Sequence, residues 1–361
     1  MRRTPLLIVG GGPAGSAAAI ALAKGGLRAE LIERTAEPHD VVCGGFLGWD
    51  ALAALGKLGV DSSALGARPI TRMRLVSASG EVEAKLPRTA AGLSRRTLDQ
   101  VLLEKAAQAG AIVSRGRAAR AAEPEGRIVR FDDGEEVEAE RLLLATGKHE
   151  LRGAARPRDT SGDPVGLRSA LPPSQALDQA LEGVIELHLF EGGYAGLLLQ
   201  EDGRTNLCLS AARERLREAG GVEPLIASLA AELPALRRRL DQAAPGEWSA
   251  VSGVPYGWRT GTTVAGLYRL GDQAAVIASL AGDGIAIALT SGLSAAAAIE
   301  RGEEAPAWQR KFALQAAAPI AIAEGLRWAA ERRRPRSALM SVLGRLPGLP
   351  GLAASLTRIG R

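Results

Sequence analysis

The sequence predicts an α/β fold in three parts: a Rossmann-like domain discontinuous in sequence, an inserted antiparallel sheet and a helical C-terminal tail. Three observations carry this. Residues 5–9 form an apolar strand that runs into Gly10-Gly11-Gly12-Pro13-Ala14-Gly15 and then into an alanine-rich helix over 16–24. A second strand over 27–32 ends in Glu33. Two later apolar strands that stop at glycine, 141–147 and 266–271, bring the chain back to the same domain, with alternating strands of different character between them.

Each element has a local reason. Gly10 permits the tight turn, Gly12 removes the side chain that would hold the backbone away from a pyrophosphate, and Gly15 lets the helix pack on the strand. Pro13 and Ala14 belong to that turn, and the N-terminus of the helix after it offers free N–H groups and partial positive charge to an anion. Glu33, followed by Arg34, stands where an acid meets a ribose hydroxyl pair. Residues 35–50 are irregular and contain Cys43-Gly44-Gly45-Phe46, with a helix expected over 50–58. Residues 74–78 and 81–85 alternate about Ser79-Gly80 as a hairpin. Ser94 caps a helix that carries Leu98, Leu102, Leu103 and Ala106 and stops at Gly110. A short strand over 111–113 follows, then a hairpin pairing 128–131 with 136–138, then the buried strand 141–147.

From 152 to 254 the pattern shifts to strands over 184–190, 196–200 and 205–209, followed by helical stretches over 211–219 and 224–241. No second glycine-rich βαβ unit occurs there, so an inserted sheet explains the shift. A strand over 266–270 ends in Gly271-Asp272, a long helix covers 284–299, and the remainder is helical and interrupted by prolines. The expected domains are a nucleotide domain over 1–70, 94–150 and 255–300, a substrate domain over 71–93 and 151–254, and a C-terminal region over 301–361.

Composition excludes several classes. With 361 residues, 46% of them hydrophobic, the chain can supply a full core for two modest domains or for one domain with a large insertion. No apolar run reaches the roughly 18 to 20 residues of a membrane span, and the first residues lead directly into a strand, so a cytoplasmic location without an export signal is expected. Two cysteines and three histidines make neither a disulfide framework nor a metal cluster. The net charge of +5 conceals a split: residues 332–361 hold seven arginines and no acid, which leaves the preceding chain at −2. Aromatics are 3% of the chain, so a nucleic-acid groove is not expected. In the tail, Leu346, Leu349, Leu352 and Leu356 recur at near-helical spacing. A single apolar stripe favours a packed helical cap with solvated arginines; the other reading is a surface for membrane lipid or an acyl-carrier partner.

Gly271-Asp272 at a strand end and Gly282-Asp283-Gly284 at the next helix start, together with the first glycine turn, resemble the FAD-binding pattern (GR2 type) of the p-hydroxybenzoate hydroxylase-like flavoproteins. The resemblance implies that Asp272 bonds a ribityl hydroxyl while Gly282, Asp283, Gly284 and Ile285 lie beside the isoalloxazine, where a helix N-terminus stabilises negative charge. It implies that Arg95, in Arg95-x-x-Leu98-Asp99, reaches the diphosphate or ribityl region, and that Thr146 and Gly147 pass near FAD. Cys43-Gly44-Gly45, Gly193-Tyr194 and the strand near Asn206 resemble the geranylgeranyl reductase branch, which places Cys43 and Gly44 at the flavin.

Departures accompany the matches. Lys148-His149-Glu150 stands where hydroxylases that manage NADPH carry a middle Asp-Gly motif. The run from Tyr194 to Leu199 replaces the tyrosine–tryptophan–phenylalanine–proline cluster of the reductase branch, and Trp248 to Pro255 has one tryptophan where halogenases carry Trp-x-Trp-x-x-Pro.

FAD is therefore the expected cofactor, with NAD(P)H or another external reductant. Catalytic candidates are Cys43, a proton donor or a residue shaping the flavin face; His149, a general acid or base; and Tyr194 and Tyr256, pocket hydroxyls. Cys208 reads as core, and His188 shares a strand face with Glu186 and Phe190 that lines a cavity or meets water. The resemblance implies first a monooxygenase acting on a hydrophobic aromatic or polyketide-like small molecule through a C4a-hydroperoxyflavin. The alternative is a reductase of C=C bonds in an isoprenoid or other alkene, and the third reading is a non-catalytic flavin-binding protein.

Overall fold

The computed structural model describes residues 1–156, 162–346 and 348–360. Strand β1 (Arg2–Val9) leads into helix α1 (Pro13–Lys24), then β2 (Glu30–Glu33), β3 (Phe46–Leu47) and helix α2 (Trp49–Lys57). A long hairpin, β4 (Arg68–Ser77) and β5 (Gly80–Gly92), precedes α3 (Arg95–Ala109) and the strands β6 (Ile112–Arg115), β7 (Ala119–Glu123), β8 (Ile128–Phe131) and β9 (Glu136–Leu144). Next come β10 (Val165–Leu171), α4 (Gln175–Leu181), β11 (Val184–Phe190), β12 (Gly193–Leu199) and β13 (Thr205–Ala211). Three helices, α5 (Arg213–Ala219), α6 (Val222–Glu232) and α7 (Pro234–Gln242), lead to β14 (Ser249–Val251) and β15 (Leu267–Arg269). The chain closes with α8 (Gly284–Glu300), α9 (Ala305–Ala330), α10 (Arg333–Arg345) and α11 (Leu349–Leu356).

Among the described residues the strands form two sheets. The first has the order β6-β2-β1-β9-β8-β7, with β15 also on β9. Its nucleotide-facing half is parallel: Leu7 lies opposite Glu30 on one side and Leu142 on the other, and Leu142 opposite Leu267. The expected hairpin strand over 136–138 and the expected buried strand over 141–147 are a single strand, β9. No glycine or proline interrupts them, and buried Val137 and Ala139 continue directly into buried Leu142 to Leu144. Its first residues pair with β8, and its later ones with β15.

The alanine richness of α1 follows from where it sits. It is buried on nearly every side, with Ala17, Ala18 and Ala19 fully inaccessible, because α8 approaches so closely that a Cβ on Gly292 would stand 2.3 Å from the Ala14 carbonyl oxygen. A Cβ on Gly15 would stand 2.0 Å from the Gly10 oxygen, so only glycine allows the turn and helix to meet as they do.

The second sheet has the order β14-β10-β13-β12-β11-β4-β5-β3. The expected hairpin thus joins strands from beyond residue 164, and the join between them, β4 to β11, is parallel, a departure from the antiparallel expectation. The two strands come from distant segments, so no hairpin constrains their direction. One face buries Leu167, Phe190, Leu197 and Leu207 against α4, α6 and α7. The other packs Leu75, Leu187 and Leu189 against Ala330 of α9 and Met340 and Leu343 of α10. The expected helix over 224–241 is two helices, because Pro234 cannot continue the first. Strands β7 and β10 and helix α4 were not legible in the sequence pattern.

Candidate functional site

Between the parallel strand ends and the second sheet lies a cavity of about 790 Å³. At one end is the glycine turn. Gly10 has φ +109° and donates to the Ile32 carbonyl at 2.8 Å; a Cβ there would meet the Ala145 oxygen at 2.3 Å. Gly12 caps α1 with Pro13 next, and a Cβ on Gly12 would find only the Arg95 Nη2, at 3.4 Å. The turn is a cradle left open beside a guanidinium. Glu33 Oε2 accepts from the Gly11 N–H at 2.8 Å, and its Oε1 accepts from the N–H and hydroxyl of Thr35 at 2.9 and 2.8 Å. The acid is thereby held at the turn. Gly10, Gly12, Pro13, Ala14, Glu33 and Arg34 all line the cavity, whereas Gly15 acts by packing behind it.

Ser94 caps α3 as expected, accepting from the Thr97 N–H, and this places Arg95 facing the turn. Asp99, one helical turn on, holds that guanidinium in a two-point grip, Nε to Oδ1 at 2.8 Å and Nη2 to Oδ2 at 2.7 Å. Burial opposes the Arg95 charge, but the Asp99 carboxylate outweighs it and keeps the guanidinium firmly protonated. Asp99 was visible in the sequence only as part of a pattern, not as the residue that orients Arg95.

At the ends of β9 and β15, Thr146, Gly147, Gly271 and Asp272 reach the cavity together. The Lys148 ammonium lies 3.1 Å from Asp272 Oδ2, and that carboxylate raises the lysine's pKa. Buried Arg156 ties the two loops, donating to the Asp272 carbonyl at 2.8 Å and to the Lys148 carbonyl at 3.2 Å while gripping Glu150 at 2.6 Å. Neither Lys148 nor Arg156 was singled out from sequence. Their signal was the basic residue in the run after Gly147, where an Asp-Gly motif was sought. His149 stands at the exposed rim of the same cavity; partial burial, with Arg34 and Lys148 nearby, lowers its pKa, so the ring is neutral at pH 7 and suits a base better than an acid.

The Cys43-Gly44-Gly45 loop crosses the middle of the cavity. Asn206 on β13 fixes it by donating to the carbonyls of Cys43 and Gly44 at 3.1 and 2.9 Å. Arg168, itself paired with Asp40 at 2.9 Å, donates to Asn206 Oδ1 at 2.9 Å and sets the amide's orientation. Gly45 needs φ +70° and has no room for a side chain beside Gln200 and the Leu93 carbonyl. The Cys43 sulfur accepts from the Gly45 N–H at 3.5 Å and lines the cavity together with Arg95 and Lys148. Cys208, expected in the core, instead lines the cavity on the Asn206 face of β13, and burial pushes its thiol up to about 12. The period of two puts Cys208 with Asn206 and Ser210, opposite Leu207 and Leu209.

Tyr194 and Tyr256 converge: both hydroxyls bond the Ser279 hydroxyl, and burial raises both phenols, leaving neutral donors facing the cavity. Gly282, Gly284 and Ile285 line the cavity at the start of α8. Asp283 does not. Its carboxylate is fully buried and turned to the C-terminus, accepting from Arg358 Nη1 at 2.9 Å and the Ile359 N–H at 3.0 Å. His188 also departs from expectation. It neither lines the cavity nor meets water, being buried with its Nε2 2.8 Å from Glu186 Oε1, and Arg74 and Arg239 complete the cluster. Arginines arriving from β4 and α7 make a buried charge tolerable on that face.

Beyond the tyrosines the cavity becomes apolar, walled by Leu75, Leu187, Leu189 and Leu198 of the second sheet and by Leu339 and Leu343 of α10. The polar half fits FAD: the open cradle at Gly12, the oriented Arg95, the acid at Glu33 and the paired Asp272 are the groups a flavin dinucleotide's diphosphate, ribose and ribityl chain require. When bound, it would supply redox chemistry near Gly44, Gly282 and Gly284.

Residues 3–153 match the family described as FAD binding domain. The chain is 28% identical over 323 residues to the menaquinone reductase of Mycobacterium tuberculosis, covering 84% of this chain and 78% of that protein. It is 28% identical over 330 residues to the digeranylgeranylglycerophospholipid reductase 2 of Methanopyrus kandleri, covering 85% and 80%. The fold is similar to that of the flavin-dependent brominase Bmp2, with TM-score 0.79, 16% identity, and 99% of this chain and 93% of that chain covered.

Proposed function

We propose that this chain, which belongs to the FAD-dependent oxidoreductases of the p-hydroxybenzoate hydroxylase-like and geranylgeranyl reductase superfamily, reduces a C=C bond in the apolar chain of an isoprenoid lipid. The observation that carries the reading is the cavity: its polar half suits FAD and its far half is an apolar channel ending against α10, with the Cys43 thiol between them. The relatives named as reductases of a menaquinone and of a digeranylgeranyl phospholipid support a long isoprenoid substrate. FAD, once reduced by NAD(P)H or another external donor, would supply a hydride equivalent.

The chain's own residues do the rest. The glycine turn and Arg95 bind the diphosphate, Glu33 the ribose, and Asp272 with Lys148 the ribityl region. The leucines of β4, β11 and β12 exclude water and align an extended apolar chain. Reducing an alkene requires a proton at the second carbon, and Cys43 Sγ holds one in the cavity. Arg95 and Lys148 line the same cavity, and solvent at the His149 rim restores the proton.

Ring hydroxylation, the first expectation from the sequence, is the competing reading, and the paired hydroxyls of Tyr194 and Tyr256 on Ser279 favour it by offering an anchor for a phenolic substrate. Anaerobic single turnover separates the two. Reduced enzyme mixed with a polyprenyl lipid should reoxidise and yield a product heavier by two hydrogens, and Cys43→Ala should slow this by about 10²-fold. Reoxidation that requires O₂ and yields a product heavier by one oxygen would establish the hydroxylase instead.

A further inference from the structure

The seven arginines after residue 331 do not share one role. Arg336 and Arg358 are buried inside the molecule, whereas Arg332, Arg333, Arg334 and Arg345 are exposed. Helix α10 is two-faced in a consistent way. Arg336, Met340 and Leu343 turn inward, and Leu339 and Leu343 wall the apolar end of the cavity. Arg334, Ala338, Ser341, Val342 and Arg345 turn outward, spaced at three and four residues.

That outer surface is basic and apolar together. Val342 is 45% exposed, Leu346 and Leu352 are 53% exposed, and Trp328 at the end of α9 is 52% exposed with the Arg332 guanidinium 5.0 Å above its ring. An indole under a cation, bare leucine and valine, and four exposed arginines in a tail without an acid together make the composition of a surface that enters the headgroup region of an anionic bilayer. An acidic protein would satisfy the arginines but gives no reason for Leu346 and Leu352 to be bare. Among the described residues no single helix is long and apolar enough to cross a membrane, although α10 and α11, bent by 115°, reach that length and composition as a pair.

We propose that α10, α11 and the end of α9 form a docking surface for an anionic lipid bilayer, which brings the apolar end of the cavity against the membrane. This deepens the reading of the cavity as a lipid-chain site, since the helix that touches the bilayer is the helix that walls the channel. A membrane-dissolved chain then reaches the site without crossing water. The docking itself does not depend on the reaction catalysed.

The test is co-sedimentation of the FAD-loaded full chain with vesicles of phosphatidylglycerol and phosphatidylcholine, which reads binding and not turnover. Vesicles with about one third anionic lipid should bind the protein at least tenfold more tightly than pure phosphatidylcholine, and 0.5 M salt should remove most of the difference. A triple R333A/R334A/R345A variant should weaken the binding by about 100-fold, near fivefold for each arginine. Leu346→Glu should weaken it at unchanged FAD content, which also reports that the variant is folded. Equal binding to neutral and anionic vesicles, or no binding to either at low salt, overturns the proposal. So would retention by an acidic carrier protein that the triple variant loses while vesicle binding stays absent. Vesicle binding without alkene reduction would leave the docking surface standing and remove the proposed reaction; reduction of a detergent-solubilised lipid without vesicle binding would do the reverse.

Discussion

Removing the Arg358 guanidinium should destabilise the protein more than most single substitutions, although the residue lies three positions from the last. Its side chain is 4% exposed and Asp283's is wholly buried, with 2.9 Å between Nη1 and Oδ1. Asp50 lies 3.9 Å from the same Nη1, and the Trp49 ring centroid 4.5 Å from the guanidinium carbon. One cation thus serves two buried carboxyls, and Arg358→Ala leaves both without it. Breaking a buried pair from one side costs about 3 to 5 kcal/mol, with roughly 1 kcal/mol more from the lost cation–π contact. With an unfolding entropy of about 2.1 cal/mol/K per residue, a chain of this length loses roughly 1.3 °C per kcal/mol, so Tm should fall by about 5 to 8 °C.

The pH dependence has a definite sign. Burial pushes Asp283 well above the usual carboxyl range, Arg358 pulls it down, and Asp50 pushes it up again. A carboxyl whose folded pKa exceeds its unfolded value near 3.9 binds more protons when folded, so its effect on stability becomes less favourable as pH rises from about 4 through the folded pKa. Deleting Arg358 raises that folded pKa further. The deficit in Tm should therefore be smaller at pH 5.5 than at pH 8. Scanning calorimetry or dye-monitored melting of the flavin-free protein at both values measures this, and Asp283→Asn in the Arg358→Ala background should recover part of the loss. A deficit under 2 °C, or one that grows on acidification, would refute the reasoning.

Two other substitutions separate cofactor binding from stability. Gly12→Val should leave Tm nearly unchanged, because only Arg95 Nη2 is near a Cβ at that position, yet the protein should no longer retain FAD absorbance after incubation and gel filtration. Glu186→Gln should do the opposite. Glu186 is held well below the usual carboxylate range: burial works to raise it, but His188, Arg239 and Arg74 around it prevail. The stability this contributes is full above the unfolded pKa near 4.3 and fades as pH falls through the folded pKa. Urea denaturation should show a loss of about 3 to 5 kcal/mol at pH 7 that narrows at pH 3, with FAD affinity unaltered.

The parts of this protein that local chemistry dictates could be read from the sequence alone. The glycine turn, the acid at Glu33, the Ser94 cap and the Gly271-Asp272 strand end each need particular residues at a fixed short spacing, and the cavity collects the turn, the acid, the strand end and the Arg95 that the cap positions. Candidates as far apart as Cys43, Tyr194 and Tyr256 were legible because their glycine-flanked strand ends lie where ligands of open α/β sheets gather. Tertiary structure decided what depends on partners distant in the chain. Asp283, read from its motif as a flavin contact, is claimed by Arg358, 75 residues away. Cys208 moved from core to cavity, and His188 from a cavity or solvent face into a buried ion cluster, since a strand's alternation assigns residues to opposite faces without saying which face is covered by what. The parallel join of β4 to β11 and the two-faced role of α10 have the same origin. Charge pairing, sheet order and the covering of a face are set by which segments meet in space, and no short-range pattern carries that information.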